Sequence, residues 1–163
     1  MSEQLQIRRA TINDVAIILH FIQLLAEYEK LSHEVTATEE LFKETLFSEK
    51  SNAHALLGFW NSQPVCFAIY FYNFSTFKGK PGLYLEDVFV LPEMRGKGFG
   101  KQMLIELAKI AKANNCGRFE WSVLDWNEPA IRFYKSLGAK PMNEWTVFRL
   151  DEIGIKNLAE NKK

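Results

Sequence analysis

The stretch of residues 83–100, LYLEDVFVLPEMRGKGFG, constrains the fold of this chain more than any other. Its first half is rich in β-branched and aromatic residues, which predicts a strand, and Pro92 ends that strand because proline lacks a backbone N–H. Three glycines then occupy alternate positions: Gly96, Gly98 and Gly100. A long helical pattern starts near Lys101. A strand, a basic glycine-rich loop and a helix start together predict an anion site, because free N–H groups and the helix dipole favour negative charge.

Two common nucleotide-binding patterns do not fit this loop. The GxxxxGK(S/T) pattern requires a glycine where Lys101 stands, and the GxGxxG pattern requires a glycine where Met103 stands. The pattern that remains runs from Arg95 to Gly100, with glycine at its fourth and sixth positions. It resembles the pyrophosphate loop, R/Q-x-x-G-x-G/A, with which the GNAT superfamily of N-acetyltransferases binds acetyl-CoA.

Length and composition limit the possible classes of protein. A chain of 163 residues suits a single domain, residues 1–163, and a formal net charge of zero gives no support for a nucleic-acid-binding surface. The two cysteines, Cys66 and Cys116, belong to no Cys/His cluster, so we expect reduced thiols and no metal site. The N-terminus has no apolar signal region, and residues 15–26 are too short to span a bilayer. We therefore expect a cytoplasmic protein with no membrane or nucleic-acid partner.

Segments with strand patterns and segments with helix patterns alternate along the chain. The strand patterns cover residues 5–8, 53–60, 65–74, 83–90, 119–124 and 144–150. The helix patterns cover residues 12–30, a stretch after Thr36 or Thr38, a stretch from Lys101, a short helix after Asn127 and the tail beyond Asp151. This order predicts an α/β (α+β) fold with a mixed sheet and helices on its faces. It resembles the GNAT acyl-CoA N-acyltransferase fold, which implies a mostly antiparallel central sheet.

A second motif, WNEPAIRFYKSLGA, occupies residues 126–139. Tyr134 lies seven positions after Asn127, almost two helical turns, so both residues share one helix face. The spacing alone favours a tyrosine that simply packs the short helix. The motif also resembles a conserved GNAT element that follows the pyrophosphate loop, and this resemblance implies that Tyr134 donates a proton to the leaving CoA thiolate.

Longer motifs narrow the resemblance. Residues 84–90, 95–100 and 126–135, together with LAEYE at residues 25–29, resemble the diamine (spermidine/spermine) acetyltransferase family, which includes thialysine acetyltransferases. The resemblance implies transfer of an acetyl group from acetyl-CoA to a primary amine of a small di- or polyamine by a homodimeric enzyme. Thialysine or another small aminoalkyl amine is the alternative acceptor. A non-catalytic module that senses acyl-CoA is the alternative from another class.

The same resemblance implies roles for individual residues. Glu86 would bind the substrate amine and relay its proton, and Tyr134 would be the acid. The residues expected to contact acetyl-CoA are Val88, Phe89, Val90, Arg95, Gly96, Lys97, Gly98, Phe99, Gly100, Lys101, Asn127, Glu128, Pro129 and Ala130, with the N–H of Val88 as the oxyanion donor. The residues expected to line the amine pocket are Tyr28, Glu29, Glu86, Glu120, Trp121, Ser122 and Glu144. A glycine that usually precedes Trp145 is missing, so either Asn143 or Glu144 fills the far end of the pocket.

Amine acetylation has physical requirements that these residue types meet. An alkylamine has a pKa of about 10, so it arrives as an ammonium ion and must lose a proton before its nitrogen attacks. A carboxylate can attract the ammonium and take that proton, and no metal is required. Glu86 and Asp87 are neighbours in a predicted strand, where strict alternation would direct them to opposite faces and leave at most one of them inside.

Overall fold

The computed structural model describes residues 4–162, which form two compact units with a boundary between Ser122 and Val123. The first unit contains β1 (Gln6–Arg9), α1 (Val15–Tyr28), α2 (Glu39–Thr45), β2 (Ala53–Trp60), β3 (Gln63–Ser75), β4 (Lys80–Val90), α3 (Phe99–Ala113) and β5 (Arg118–Trp121). The second unit contains α4 (Glu128–Ser136) and α5 (Glu152–Ala159). Among the described residues, no helix combines the length and the apolar character needed to cross a membrane.

The five strands form one sheet whose spatial order follows the chain, from β1 to β5. The first three pairings are antiparallel, and β4 pairs with β5 in parallel. A parallel pair needs a crossover connection, and α3 supplies it. This topology confirms the predicted mixed, mostly antiparallel sheet with helices against it.

The two faces of the sheet bury different helices. On one face, Ile18 and Phe21 of α1 pack on Leu57, Phe67 and Phe89 from three neighbouring strands. The rings of Phe21 and Phe67 are stacked with their centroids 5.3 Å apart. The alternate residues of the same strands point to the other face and are buried there. On that face α3 contacts β3, β4 and β5 through its own buried residues, Met103, Leu104 and Leu107. We refer to these surfaces as the α1 face and the α3 face.

Strand β4 carries a β-bulge at Glu86. Tyr70 of β3 pairs with Leu85 and the preceding residue, Ile69, pairs with Asp87, so Glu86 has no partner residue. An extra residue of this kind breaks the alternation of side chains between the two faces. Asp87 therefore lies on the α1 face with Ile69 and Phe89, although regular alternation from Leu85 would direct it to the α3 face. The expectation of strict alternation through residues 83–90 is wrong at this point.

The predicted helix over residues 12–30 is shorter, because residues 12–14 form a separate 3-10 turn before α1. The Arg8 guanidinium donates hydrogen bonds of 2.8 and 2.9 Å to the Asp14 carboxylate, which also accepts the Thr11 N–H at 2.7 Å. The bonds from Arg8, followed by those from Thr11, lower the pKa of the buried Asp14 from 3.8 to about 2. Asp14 thus fixes the end of β1 to the start of α1.

We expect Asp14→Asn to lower the free energy of unfolding by about 2 kcal/mol at neutral pH, since each pKa unit corresponds to about 1.4 kcal/mol. The folded pKa lies below the unfolded one, so this stabilisation is complete above about pH 4 and is lost as the pH falls towards 2. Urea unfolding of both proteins at several pH values measures the difference, which should shrink on acidification. Asp125→Asn, at an exposed aspartate, is the control and should change the free energy by less than about 0.5 kcal/mol.

The second unit confirms two helices and corrects one strand. Asn127 caps α4, its Oδ1 accepting the Ala130 N–H at 3.4 Å, and Asp151 caps α5 by accepting the Gly154 N–H at 2.7 Å. The strand predicted at residues 144–150 is wrong: these residues are irregular and exposed. A strand requires a hydrogen-bonded neighbour, and this segment pairs with no strand in the part of the chain that the structure describes.

Candidate active site

The loop between β4 and α3 has the conformation that the glycine pattern predicted. Gly96 and Gly98 have φ angles of 78° and 81°, in the left-handed region that favours glycine. A Cβ atom at either position would meet no heavy atom within 4 Å, so the backbone conformation, rather than crowding, requires glycine. Gly98 is the N-cap of α3, which starts at Phe99, two residues before the predicted start.

The start of α3 suits a negatively charged group. The first backbone N–H groups of a helix have no partner within the helix, and the first turn of α3 contains no acidic side chain that would compete for them. Lys97 and Lys101 are exposed on either side of the helix start. These features fit the pyrophosphate of acetyl-CoA, with residues 96–101 as the group that would hold it.

The edge of β4 beyond the bulge is open on one side. β5 pairs with β4 only from Gly82 to Leu85, whereas β3 pairs with β4 as far as Val90. Backbone groups of residues 86–90 that point away from β3 therefore have no strand partner among the described residues. Val88, Phe89 and Val90, which were predicted to contact acetyl-CoA, lie in this open segment and can offer backbone donors to an acyl group.

Arg95 connects the glycine loop to α1. Its guanidinium carbon lies 4.7 Å from the ring centroid of Tyr28 and 5.3 Å from that of Phe89, and its Nε donates to the Val90 carbonyl oxygen at 3.1 Å. These are cation–π distances. A residue predicted to contact acetyl-CoA and a residue predicted to line the amine pocket are thus in direct contact within the first unit.

Three carboxylates influence one another where α1 ends beside β4. Glu29 is the C-cap of α1, Glu86 is the exposed bulge residue, and Asp87 is half-buried. Burial raises the pKa of Asp87 to about 6, and the negative charges of Glu86 and Glu29 contribute to the increase. Burial also raises the pKa of Glu29. None of the ion pairs formed within residues 4–162 includes these carboxylates, so this corner has an excess of negative charge.

Of the predicted pocket residues of β5, Glu120 lies on the α1 face, whereas Trp121 lies on the α3 face. Tyr84 pairs with Glu120 in the parallel register, and the Tyr84 hydroxyl lies 2.8 Å from the Ser122 hydroxyl. The Nε of Arg118 lies 2.8 Å from the Glu120 Oε1, which also accepts a long hydrogen bond of 3.5 Å from the Asn73 side chain. The charge of Glu120 is therefore largely balanced by Arg118, which makes it a weaker attraction for an ammonium ion than the corner around Asp87.

The remaining predicted site residues belong to the second unit. Tyr134 is half-buried on α4, with its ring centroid 5.5 Å from that of Phe133. Asn127 is buried and its side chain caps the helix, so it has a structural role in addition to any contact with a ligand. Glu128 and Pro129 form the exposed first turn of α4, and Asn143 and Glu144 are exposed in the irregular segment before α5.

Asp87 is the residue that sequence reasoning missed. Its importance depends on the bulge, and residues 84–88 contain no glycine or proline that would have indicated an irregularity in the strand. Arg118 and Asn73 were missed as well, because their contacts with Glu120 depend on strand register. Within residues 4–162, no group of three or more His, Cys, Asp or Glu side chains is arranged to hold a metal ion.

Comparison with known families relates this geometry to an activity. The model of the acetyltransferase (GNAT) family matches residues 19–139, which include the bulged strand, the glycine loop and Tyr134. The chain belongs to the GNAT acetyltransferase family. Members of this family use acetyl-CoA, which agrees with the anion site at the start of α3. The match confirms the resemblance found in the sequence and identifies the protein as an enzyme of the acetyltransferase class.

Individual relatives support this assignment along most of the chain. A thialysine N-epsilon-acetyltransferase of Bos taurus is 37% identical, and the alignment covers 94% of this chain and 96% of that protein. A spermidine/spermine N(1)-acetyltransferase-like protein of Homo sapiens is 30% identical over 94% of this chain, which corresponds to 24% of that longer protein. The solved structure of an integron cassette protein from V. cholerae superposes with a TM-score of 0.79 at 30% identity, covering 98% of this chain and 99% of that one.

Proposed function

We propose that this GNAT enzyme transfers the acetyl group of acetyl-CoA directly to a primary amine of a small aminoalkyl compound. The observation that carries the proposal is the acidic corner of Glu29, Glu86 and Asp87 in the same unit as the glycine loop. Carboxylates without ion-pair partners attract a cationic amine. The family match crosses the boundary between the two units, which supports one acetyltransferase domain over residues 1–163.

The proposed roles of the residues follow from this chemistry. The glycine loop and the start of α3 hold the pyrophosphate, and the open backbone of residues 88–90 binds the acyl group, with the Val88 N–H as the oxyanion donor. Glu86 binds the ammonium ion, and Tyr134 protonates the leaving thiolate. Glu120, Trp121, Ser122 and one of Asn143 and Glu144 line the rest of the amine pocket.

Two acceptor classes compete for the pocket. Thialysine and related aminoalkyl amino acids are favoured by the full-length similarity to thialysine N-epsilon-acetyltransferases, at 35–37% identity. Polyamines such as spermidine are the second candidate, because a spermidine/spermine acetyltransferase-like protein also matches.

A panel of acceptors tests the choice. We expect kcat/KM for thialysine to exceed the values for spermidine, spermine and putrescine by about tenfold or more, which corresponds to about 1.4 kcal/mol. Release of the CoA thiol from acetyl-CoA measures each rate, and lysine serves as the carbon analogue. A higher kcat/KM for the polyamines would assign the enzyme to the second class without changing its mechanism.

The sequence resemblance also leads us to propose a homodimer in the cytoplasm. The side chains of Trp145, Val147 and Phe148 are 72%, 80% and 92% exposed, which supports an interface between subunits at this segment. Light scattering coupled to size-exclusion chromatography measures the mass directly, and the mass of a single chain at micromolar concentration would refute the dimer.

A further inference from the structure

We propose that Asp87, directly after the β-bulge of β4, is the group that accepts the proton from the substrate amine. The sequence resemblance implies this role for Glu86 and none for Asp87. The inference deepens the proposed acetyltransferase function and rests on it.

The bulge gives the two neighbours different environments. Because Ile69 pairs with Asp87 and Tyr70 pairs with Leu85, Asp87 lies on the α1 face and Glu86 is left without a partner. Asp87 is half-buried on the face that contains Phe89, whereas Glu86 is exposed to solvent. A carboxylate shielded from water interacts more strongly with a bound ammonium ion than an exposed one does.

The position of Asp87 also suits transfer to the acyl group. It lies one residue before Val88, in the segment of β4 that β5 leaves open, and on the same face as Glu120 of the predicted amine pocket. An ammonium ion bound at Asp87 would therefore lie beside the backbone groups proposed to hold the acyl carbonyl. Glu86 occupies the bulge next to it and adds a second negative charge beside the cation.

The groups around Asp87 favour a proton acceptor. Glu29 faces it from the end of α1, Glu86 precedes it on β4, and the partner on β3 is the apolar Ile69. Arg95 packs on Phe89 and Tyr28, and no hydrogen bond or ion pair joins it to Asp87. Burial, together with the charges of Glu86 and Glu29, raises the pKa of Asp87 to about 6. Such a carboxylate is still mostly ionised at neutral pH and takes a proton more readily than an ordinary one.

The transfer begins when the substrate amine loses a proton. One N–H bond of the ammonium ion breaks, its proton passes to a carboxylate oxygen of Asp87 directly or through one water, and the electron pair stays on nitrogen. That pair forms the C–N bond to the thioester carbonyl carbon, and the C–S bond breaks. Tyr134 gives its proton to the departing thiolate and regains one from the acylated nitrogen, while Asp87 releases its proton to solvent.

Glu86→Gln distinguishes the two possible proton acceptors, Asp87 and Glu86, because they predict shifts of the pH profile in opposite directions. If Asp87 accepts the proton, removal of the neighbouring negative charge lowers the pKa of Asp87, and the acidic limb of kcat/KM moves to lower pH. Glu29→Gln should move the limb in the same direction. If Glu86 itself accepts the proton, Glu86→Gln will instead raise the pH that activity requires.

The experiment is a profile of kcat/KM for the preferred amine between about pH 5 and pH 9, for the native enzyme, Glu86→Gln and Asp87→Asn. We expect an acidic limb near pH 6 in the native enzyme, a downward shift in Glu86→Gln, and a loss of about 10²-fold or more in kcat with no limb in Asp87→Asn. Acetyl-CoA binding and the thermal midpoint of Asp87→Asn control for misfolding. An upward shift in Glu86→Gln, or an Asp87→Asn enzyme within about threefold of the native kcat, would overturn the inference.

A titration without turnover distinguishes this inference from the proposed function. Carbon-13 NMR of the aspartate carboxyl groups, with Asp87→Asn for assignment, follows Asp87 in the free protein. We expect a midpoint near 6 that falls in Glu86→Gln. A midpoint near 4 would overturn the inference even if the enzyme acetylates amines, whereas absence of turnover with every amine would refute the proposed function itself.

Discussion

Tyr134→Phe should lower kcat by about 10²- to 10³-fold and leave the affinity for acetyl-CoA nearly unchanged. The substitution removes only the hydroxyl group, so the ring still packs beside Phe133 on α4. The thiolate must then leave without a proton from the enzyme, which raises the barrier of the chemical step but not the free energy of binding. Steady-state kinetics gives kcat, and calorimetry gives the dissociation constant of acetyl-CoA.

Tyr72→Phe is a matched control for this prediction. Tyr72 lies on β3, outside the predicted site, and its ring contacts those of Tyr70 and His54. Removal of its hydroxyl should leave kcat within about twofold of the native value. Unchanged turnover in Tyr134→Phe would refute the acid assignment and leave the tyrosine as a packing residue of the short helix.

Gly98→Ala should raise the KM for acetyl-CoA by about tenfold, with a range of roughly 5- to 30-fold. A residue with a Cβ costs about 1–2 kcal/mol in the left-handed conformation that Gly98 adopts, and the loop relieves this strain by moving away from its binding geometry. Since the space around the new Cβ is open, the substitution tests backbone conformation without a steric clash. Initial rates over a range of acetyl-CoA concentrations measure the KM.

Gly79→Ala is the control variant with the same type of strain. Gly79 has a φ angle of 59° and open space around its Cα, but it lies in the turn between β3 and β4. We expect a similar loss of thermal stability and no change in the KM for acetyl-CoA. If both variants raised the KM equally, the effect of Gly98→Ala would reflect general destabilisation rather than the anion site.

Signals that are local in sequence predicted much of the fold. Thr38 accepts the Leu41 N–H and Asn127 accepts the Ala130 N–H, as their cap positions predicted, because capping depends on residues only three positions apart. The strand patterns at residues 53–60 and 65–74 also formed strands, β2 and β3, and only Asn61 and Ser62 remain outside them, both with positive φ.

Features that depend on strand pairing were not predictable in the same way. The bulge at Glu86 arises from the register of β4 against β3, and nothing in the local residue types distinguishes it from regular alternation. Residues 144–150 alternate like a strand but have no strand partner among the described residues, so the pattern alone predicted a strand that does not form. The ion pair with Arg118 likewise changes the electrostatic surroundings of Glu120, which the resemblance had implied as a pocket residue.

The candidate site was therefore predicted in its chemistry more than in its details. The conformation of the glycine loop followed from Gly96 and Gly98, and the acidic corner beside it includes Glu29 and Glu86, which the resemblance had implied. The distribution of charge within the pocket did not, because burial and neighbouring charges, rather than residue type, set the pKa of Asp87.

The most direct test of the account is mass spectrometry of the products formed from acetyl-CoA and thialysine or spermidine. Direct transfer predicts one N-acetylated amine for each CoA thiol, formation of both only in the presence of the amine, and formation of both about 10²- to 10³-fold more slowly in Tyr134→Phe. Saturable binding of acetyl-CoA without an acetylated product from any amine would contradict the account and indicate a protein that binds acyl-CoA without transferring the acyl group.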